Sequence, residues 1–334
     1  YAENFAVDYY EDGYKMLTTL PDSKRYLIVP EGQPVPRGLD EDVSILQEPL
    51  QNIYLVASGV MDMFASVDAV DQIRFSGQKQ ENWYIQTAKD AMAAGDMIYA
   101  GKYSKPDYEL LVSEGCDLAI ENRMITHSPE VVEMLQSFDI PVMIEYSSYE
   151  QHPLGKVEWV KFFGALTGKE AEAEEAFAEQ TEILEEVESG AKTGKTIAFF
   201  YVTSNGLIQV RQSTDYIPKL IELAGGRYIF ENLEDSGSGR STLNMQVEDF
   251  YAGAKDADIL IYNSSIDGGV TTVDELIGKC NILKDFKAVQ EGQVYCTTND
   301  MYQQSMAIGY LLQDMHTVLT DDDTAKLRYL FLLQ

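Results

Sequence analysis

One uninterrupted stretch, from Lys169 to Ser189, contains neither glycine nor proline and most constrains the fold of this chain. It is rich in alanine and glutamate, which favour helix, so it predicts one long helix. Its apolar residues lie mostly on one stripe: Ala173, Ala176, Phe177, Ile183, Leu184 and Val187. This charge pattern suits a solvated surface helix of a single domain. The alternative is a rigid strut between two lobes, which the alternating elements on both sides of the stretch favour.

Strands alternate with helices on both sides of this stretch. Before it, strands are predicted at 52–57, 118–120 and 141–145, and helices after Ser58-Gly59 and at 107–113, 130–138 and 154–166. After it, strands are predicted at 195–202, 259–262 and 293–296, and helices at 216–224, 247–254, 273–277, 282–286 and 302–319. Such alternation indicates βαβ units with parallel sheets. The first 50 or so residues are predicted to form irregular strands, at 5–10, 15–20 and 26–30.

The length of 334 residues exceeds what one hydrophobic core usually serves, so two lobes are expected. The sequence therefore predicts an α/β fold with two Rossmann-like lobes, whose mainly parallel sheets are joined by one long α-helix. The predicted N-terminal lobe is 1–166, the linking helix 167–190 and the C-terminal lobe 191–334.

The formal charge of −30 argues against nucleic acid, whose phosphates require a basic face, and against adhesion to anionic lipid. No apolar run reaches the length that spans a bilayer. The opening residues, Tyr1-Ala2-Glu3-Asn4, do not form a secretory signal. If the protein is exported, we expect this chain to be the mature form with its leader removed.

Motifs of enzymes with α/β folds are absent from the sequence. It has no G-x-S-x-G, no Walker loop and no G-x-G-x-x-G between a strand and a helix. Its three histidines lack zinc-site spacing, and its three cysteines are far apart with no C-x-x-C. We therefore expect a binding protein without catalytic residues, resident cofactor or metal. The alternative of another class is a two-lobed α/β metalloenzyme, which clustered cysteines would support.

Ligands of α/β proteins bind beyond the carboxyl ends of the strands. Tyrosine is abundant near those predicted ends, and it offers a flat apolar face with a hydroxyl for large amphipathic ligands. Arginines on predicted loops there can hold a carboxylate or an anionic chelate with two hydrogen bonds. The candidate ligand-binding residues are Ser58, Met61, Tyr103, Arg123, Met124, Tyr146, Tyr149, Tyr201, Arg211, Arg240 and Tyr302.

The segment from Tyr108 to Ile120 combines a short acid-led helix, a tight turn and an apolar strand. It resembles the N-lobe segment of the substrate-binding proteins of ABC importers for ferric siderophores, haem and cobalamin. Weaker signatures follow in the order of that family: Tyr149 to Gly155, Leu166-Thr167-Gly168-Lys169, Leu223-Ala224-Gly225-Gly226 and Ala257 to Ile261. The resemblance covers roughly residues 50–320 and implies the class with a single linking helix.

In that family the helix-leading acid pairs with an arginine of the permease, and Glu109 falls on its position. An internal similarity, Glu109 to Ile120 against Glu248 to Ile261, places Glu248 on the second lobe, although acids at helix starts are also favoured by the helix dipole. The resemblance implies an ABC permease dimer as partner. It also implies an extracytoplasmic monomer that meets the membrane only through a removed N-terminal lipid anchor.

The sequence does not separate three classes of ligand. A ferric siderophore brings its own iron ligands and is favoured by arginines and tyrosines, so we expect an iron chelate held between the lobes. Haem needs an axial tyrosine, histidine or methionine, for which Met124 and His127 are further candidates. Cobalamin needs a wide aromatic cleft. A surface receptor with no transport role is the remaining alternative.

Overall fold

The computed structural model describes residues 1–233, 241–264, 268–322 and 324–334. Within these residues the chain folds as two compact units. Unit 1 comprises Tyr1–Ser148, Gly155–Ala178 and Gln303–Met306. Unit 2 comprises Tyr149–Leu154, Glu179–Tyr302 and Ala307–Gln334. The lobe boundaries expected at residues 166 and 191 stay a prediction.

Unit 1 begins with a four-stranded sheet in the order β1-β2-β3-β4. Its strands are β1 (Phe5–Tyr9), β2 (Lys15–Thr19), β3 (Lys24–Val29) and β4 (Val43–Gln47). The first three strands are antiparallel neighbours, whereas β4 runs parallel to β3. The sequence indicated β1 to β3 but not β4. Phe5 packs edge-on against Trp159, with ring centroids 5.1 Å apart, and so ties this sheet to the rest of unit 1.

The second sheet of unit 1 is wholly parallel, with the order β11-β10-β5-β6-β7. Its strands, with the short hairpin β8–β9, are β5 (Ile53–Leu55), β6 (Ile73–Ser76), β7 (Ile98–Tyr99), β8 (Gly101–Lys102), β9 (Lys105–Pro106), β10 (Leu118–Asn122) and β11 (Val142–Glu145). Strand β5 is fully buried, as expected for a parallel strand with both faces covered.

Five helices accompany this sheet. They are α1 (Val60–Ser66), α2 (Gln86–Ala94), α3 (Tyr108–Ser113), α4 (Pro129–Ser137) and α5 (Pro153–Thr167). The Asp107 side chain caps α3 by accepting a hydrogen bond from the Leu110 backbone N–H at 3.1 Å. Helices α3 and α4 cover a core around Tyr54, Phe75 and Leu111. Thus α3 is oriented by its cap at one end and by the core beneath it.

The long helix expected near residue 169 is α6 (Glu170–Glu188), a run of 19 residues. Its residues up to Ala178 belong to unit 1, and those from Glu179 belong to unit 2. The predicted apolar stripe is its buried side, because Ala173, Phe177, Leu184 and Val187 are all nearly inaccessible to solvent.

Unit 2 is built on a seven-stranded sheet in the order β15-β13-β12-β16-β17-β18, with β14 also paired to β12. The strands are β12 (Thr196–Val202), β13 (Ile208–Arg211), β14 (Arg227–Tyr228), β15 (Thr242–Met245), β16 (Ile259–Tyr262), β17 (Val294–Thr297) and β18 (Leu330–Leu332). Strands β12, β14, β16 and β17 are parallel. Strands β13, β15 and β18 add antiparallel pairs that the sequence did not indicate.

The helices of unit 2 surround this sheet. They are α7 (Tyr216–Leu223), α8 (Val247–Ala254), α9 (Val273–Lys279), α10 (Lys287–Gln290) and α11 (Ile308–Thr320). The core centres on Phe200, Phe250, Tyr262 and Phe286, and the rings of Phe250 and Phe286 stack with centroids 5.5 Å apart. Helix α11 begins after the expected Tyr302, which therefore lies on a loop rather than in the helix.

These elements confirm the predicted α/β class and the parallel sheets at the centre of both units. Among the described residues, none of the helices combines the length and the apolar character needed to cross a membrane.

Candidate ligand-binding site

In unit 1 the carboxyl ends of two neighbouring parallel strands bring Arg123 and Tyr146 together. Arg123 opens a 3-10 turn directly after β10, and Tyr146 follows β11. Burial raises the pKa of the Tyr146 hydroxyl, Asp22 raises it further, and the charge of Arg123 opposes them. The pair therefore lies at the sheet edge where the sequence placed it, with Tyr146 mostly buried.

The other unit 1 candidates differ in exposure. Met124 is 49% exposed, and its backbone N–H donates to the Asn122 side-chain oxygen at 2.9 Å. Tyr103 lies between β8 and β9 and packs against the core, whereas Ser58 is half-buried just before α1. Met61 is fully buried in α1, so in this structure it has no surface to offer a ligand.

Glu121 is a polar group at this edge that was not among the candidates. It is fully buried in β10, and neither carboxyl oxygen has a hydrogen-bond partner among the described residues. Burial raises the pKa of Glu121 to about 8, so its carboxyl is neutral at pH 7. The sequence signal was present, since Glu121 directly follows the apolar strand predicted at 118–120.

In unit 2, two predicted tyrosines differ in position. Tyr149 is 38% exposed, on the turn before α5. Tyr201 is the penultimate residue of β12 and is half-buried, with its ring centroid 6.3 Å from that of Tyr262. Each therefore keeps part of its ring accessible.

Arg211 was predicted on a loop, and this placement is wrong. It is the last residue of β13, because the chain turns back at Gly206 to form an antiparallel pair with β12. Its side chain is only 10% exposed and pairs with Asp215, with Nη1 and Oδ2 3.3 Å apart. Burial acts to lower the pKa of Arg211, but Tyr302 and Asp215 together raise it above the usual value.

Tyr302, on the loop that follows β17, meets Arg211 at the end of β13. The Tyr302 hydroxyl accepts a hydrogen bond from Arg211 Nη2 and a second, at 2.6 Å, from Asn263 Nδ2. Asn263 directly follows β16 and is 3% exposed. Neither Asp215 nor Asn263 was a candidate, although Asn263 stands where an apolar strand ends. Arg240 lies outside the described residues.

The predicted docking acids occupy equivalent places. Glu109 is the second residue of α3 and Glu248 the second residue of α8, and both are exposed. Each helix leads into an interior strand, β10 in unit 1 and β16 in unit 2. Glu109 forms no ion pair with any residue that the structure describes.

The described residues contain no group of three or more histidine, cysteine, aspartate or glutamate side chains that could hold a metal ion. The two sheet edges instead present tyrosine, arginine and amide groups. This arrangement can bind a solute through hydrogen bonds and aromatic contact.

An α/β chain of two units with such polar sheet edges has the make-up of a solute-binding protein. The chain belongs to the periplasmic binding protein family, whose model matches residues 56–301. The family binds solutes and does not catalyse reactions, which confirms the expected binding protein and the resemblance read from residues 50–320. The sheet of β1 to β4 lies outside the matched residues.

The chain is similar to an uncharacterized lipoprotein of Methanocaldococcus jannaschii, with 24% identity over 96% of this chain and 81% of that protein. Among solved structures it is similar to a periplasmic haem-binding protein of Vibrio cholerae, with a TM-score of 0.63, 14% identity and coverage of 80% and 98%. It is also similar to an Fe3+-hydroxamate transport protein of Saccharomonospora viridis, with a TM-score of 0.60, 17% identity and coverage of 81% and 93%. At these identities the solved structures show the shared fold.

Proposed function

We propose that this protein is an extracytoplasmic receptor that captures a ferric siderophore-type chelate and delivers it to an ABC permease. The observation that carries the proposal is that each unit brings an arginine beside a tyrosine that follows a parallel strand of its sheet. The pairs are Arg123 with Tyr146, and Arg211 with Tyr302. Aromatic rings and hydrogen-bond donors suit a large chelate whose iron is already coordinated.

The similarity to an Fe3+-hydroxamate transport protein supports this cargo. Haem is the second candidate, because Met124 is half exposed at the edge of unit 1 and a haem-binding protein has the same fold. Cobalamin remains the third cargo of the same family.

The location and partners form a further part of the proposal. A lipoprotein relative supports an anchor at the N-terminus and a place outside the cytoplasm. Glu109 and Glu248, each exposed in the first turn of a helix, would pair with arginines of a permease dimer. The receptor would act as a monomer.

The test is a titration of the purified protein with a ferric trihydroxamate, a ferric tricatecholate, haem and cobalamin. Both tryptophans, Trp83 and Trp159, are fully buried in unit 1, so quenching of their fluorescence would report energy transfer to a coloured ligand. Calorimetry of the same mixtures supplies an independent Kd. Saturable binding of a ferric siderophore with sub-micromolar Kd supports the proposal, whereas preferential binding of haem or cobalamin reassigns the cargo. Binding of none of the four contradicts it.

A further inference from the structure

Unit 2 contains a cluster of four side chains: Arg211, Asp215, Asn263 and Tyr302. Resting on the proposed function, we ask which of them contacts the ligand and which position that residue. Four different elements supply the cluster: the end of β13, the cap of α7, the loop that follows β16 and the loop that follows β17. All four side chains meet through hydrogen bonds or an ion pair. The question is which of them meets the ligand.

The positive charge of Arg211 is already paired with a carboxylate inside the protein. Its Nη1 lies 3.3 Å from Asp215 Oδ2, and the two side chains are only 10% and 1% exposed. The other oxygen of Asp215 accepts the Ile217 N–H at 2.9 Å and caps α7. The Tyr228 hydroxyl fixes the Arg211 backbone, accepting from its N–H at 3.0 Å and donating to its carbonyl at 2.9 Å. Arg211 is therefore held in place and offers a ligand little free charge.

The Tyr302 hydroxyl is different, because its oxygen already accepts two hydrogen bonds, whereas its hydrogen is donated to none of the described residues. A tyrosine hydroxyl can accept two hydrogen bonds and donate one. Arg211 Nη2 and Asn263 Nδ2 fill both acceptor positions. No described residue accepts a hydrogen bond from the Tyr302 hydroxyl, and Tyr302 is half-buried. Burial raises the pKa of Tyr302 to about 12, against the opposing charge of Arg211, so the hydrogen is retained.

The arrangement of Asn263 costs stability, which is consistent with a functional role. Its amide nitrogen is committed to Tyr302, while its buried side-chain oxygen has no hydrogen-bond partner among the described residues. A buried polar atom without a partner is rare in native structures and destabilises the fold unless something else requires it. Here the amide orients the Tyr302 hydroxyl.

We infer that Tyr302 is the ligand-contacting hydrogen-bond donor of unit 2, and that Arg211 and Asn263 are positioning residues that act through it. The ligand atom that meets Tyr302 is then an oxygen acceptor that need not carry a charge, such as a carbonyl or a chelating oxygen. This differs from the expectation that Arg211 itself grips an anionic group.

The first experiment uses the ligand-free protein labelled with 13C at the tyrosine ζ carbon, whose NMR shift reports hydrogen bonds to the hydroxyl. We compare the wild type with Asn263→Leu and with the pair Arg211→Gln and Asp215→Asn, which leaves no charge buried alone. Both variants should move the Tyr302 resonance. The control is Arg227→Gln, an exposed arginine of the same unit. An unmoved Tyr302 resonance in both variants would overturn the inference.

The second experiment measures Kd for the best-bound probe of the four named above. Tyr302→Phe removes one hydrogen bond and should weaken binding about tenfold. The Arg211→Gln, Asp215→Asn pair should weaken it by a similar factor, and adding Tyr302→Phe to that pair should cost nothing more. Tyr295→Phe, a buried tyrosine of β17, is the matched control.

The outcomes separate this inference from the proposed function. Losses that multiply in the triple variant would show that Arg211 contacts the ligand directly, and would overturn the inference while the receptor stands. An unchanged Kd for Tyr302→Phe would do the same. If the wild type binds none of the probes, the proposed function fails and the ligand-contacting role of Tyr302 fails with it, while the NMR comparison still decides whether Arg211 and Asn263 position the hydroxyl.

Discussion

Asp117 and Asp258 make the same hydrogen bond in two different units. Each directly precedes an interior strand and accepts the backbone N–H at the start of the neighbouring parallel strand. Asp117 Oδ2 receives the Asn52 N–H at 2.9 Å before β5, and Asp258 Oδ2 receives the Thr196 N–H at 2.7 Å in β12. The sequence similarity around these residues therefore has a structural counterpart, a carboxylate that fixes where two parallel strands begin.

Replacing Asp258 with alanine should lower the free energy of unfolding by about 1–2 kcal/mol, because a charged hydrogen bond to Lys287 at 2.6 Å is also lost. Burial would raise the pKa of Asp258, but hydrogen bonds from Lys287 and Thr196 outweigh it and lower the pKa. This stabilisation is thus present at neutral pH and lost as the pH falls through the folded-state pKa. Urea unfolding at pH 7 and pH 3 checks it, with the exposed Asp285→Ala as control. An equal effect at both pH values would contradict this account.

Glu121→Gln should stabilise the protein, because the wild type keeps a carboxyl in the core. Its pKa of about 8 exceeds that of an unfolded glutamate, so wild-type stability falls as the pH rises from about 4 to 8. Glutamine does not titrate, and its advantage should reach about 3 kcal/mol at pH 7 and nearly vanish at pH 4. Urea unfolding across this range measures it, with Glu130→Gln on exposed α4 as the matched control. A pH-independent difference would show that Glu121 does not titrate as described.

Reversing the charge of the two helix-leading acids should stop transport without changing solute binding. Glu109→Lys and Glu248→Lys both alter exposed side chains, so Kd for the solute should stay within about twofold. Uptake of labelled chelate by cells or by permease vesicles should fall at least tenfold. Glu133→Lys on α4 is the control for general charge. Normal uptake with Glu109→Lys would rule out docking through this residue.

Lys15→Met should weaken the attachment of the β1–β4 sheet to unit 1. Lys15 Nζ donates to the Ala165 carbonyl at 2.8 Å and to Glu170 Oε1 at 2.9 Å, with a side chain only 10% exposed. Losing these bonds leaves partly buried acceptors unpaired and should cost about 2–3 kcal/mol of unfolding free energy. Urea unfolding measures this loss, and the control is Lys24→Met, which replaces an exposed lysine of β3. Equal losses in the two variants would contradict this attachment.

The sequence predicted elements well where apolar periodicity was strong and poorly where it was not. The stretch from Lys169 to Ser189, predicted as one long helix, matches Glu170–Glu188 within one residue at each end, because its buried stripe recurs every three or four residues. Helix α2 was missed, since only Ala88 of its residues is buried and no apolar stripe is visible. Strands β13, β15 and β18 were missed because antiparallel additions to a parallel sheet do not follow the βαβ pattern.

The candidate site shows the same contrast between features that the sequence predicted and features that it did not. The sequence predicted Arg123 and Tyr146 at the ends of strands, and the structure places them at neighbouring strand ends. The contact of Arg211 with Tyr302 was not predicted, because these residues are 91 positions apart and meet only in the folded unit. Spacing along the chain carries no signal of such contacts.

The division between the two units falls inside α6, at Ala178 and Glu179, and not in a loop. A gene split at that point would give two polypeptides that each carry a severed helix, with backbone donors or acceptors left open at the cut. On the unit 2 side of this point, Gln180 accepts the Gly309 N–H at 2.9 Å and Glu179 accepts the Tyr310 hydroxyl at 2.7 Å. Recombination that exchanges unit 2 between relatives must therefore replace its half of α6 together with the start of α11.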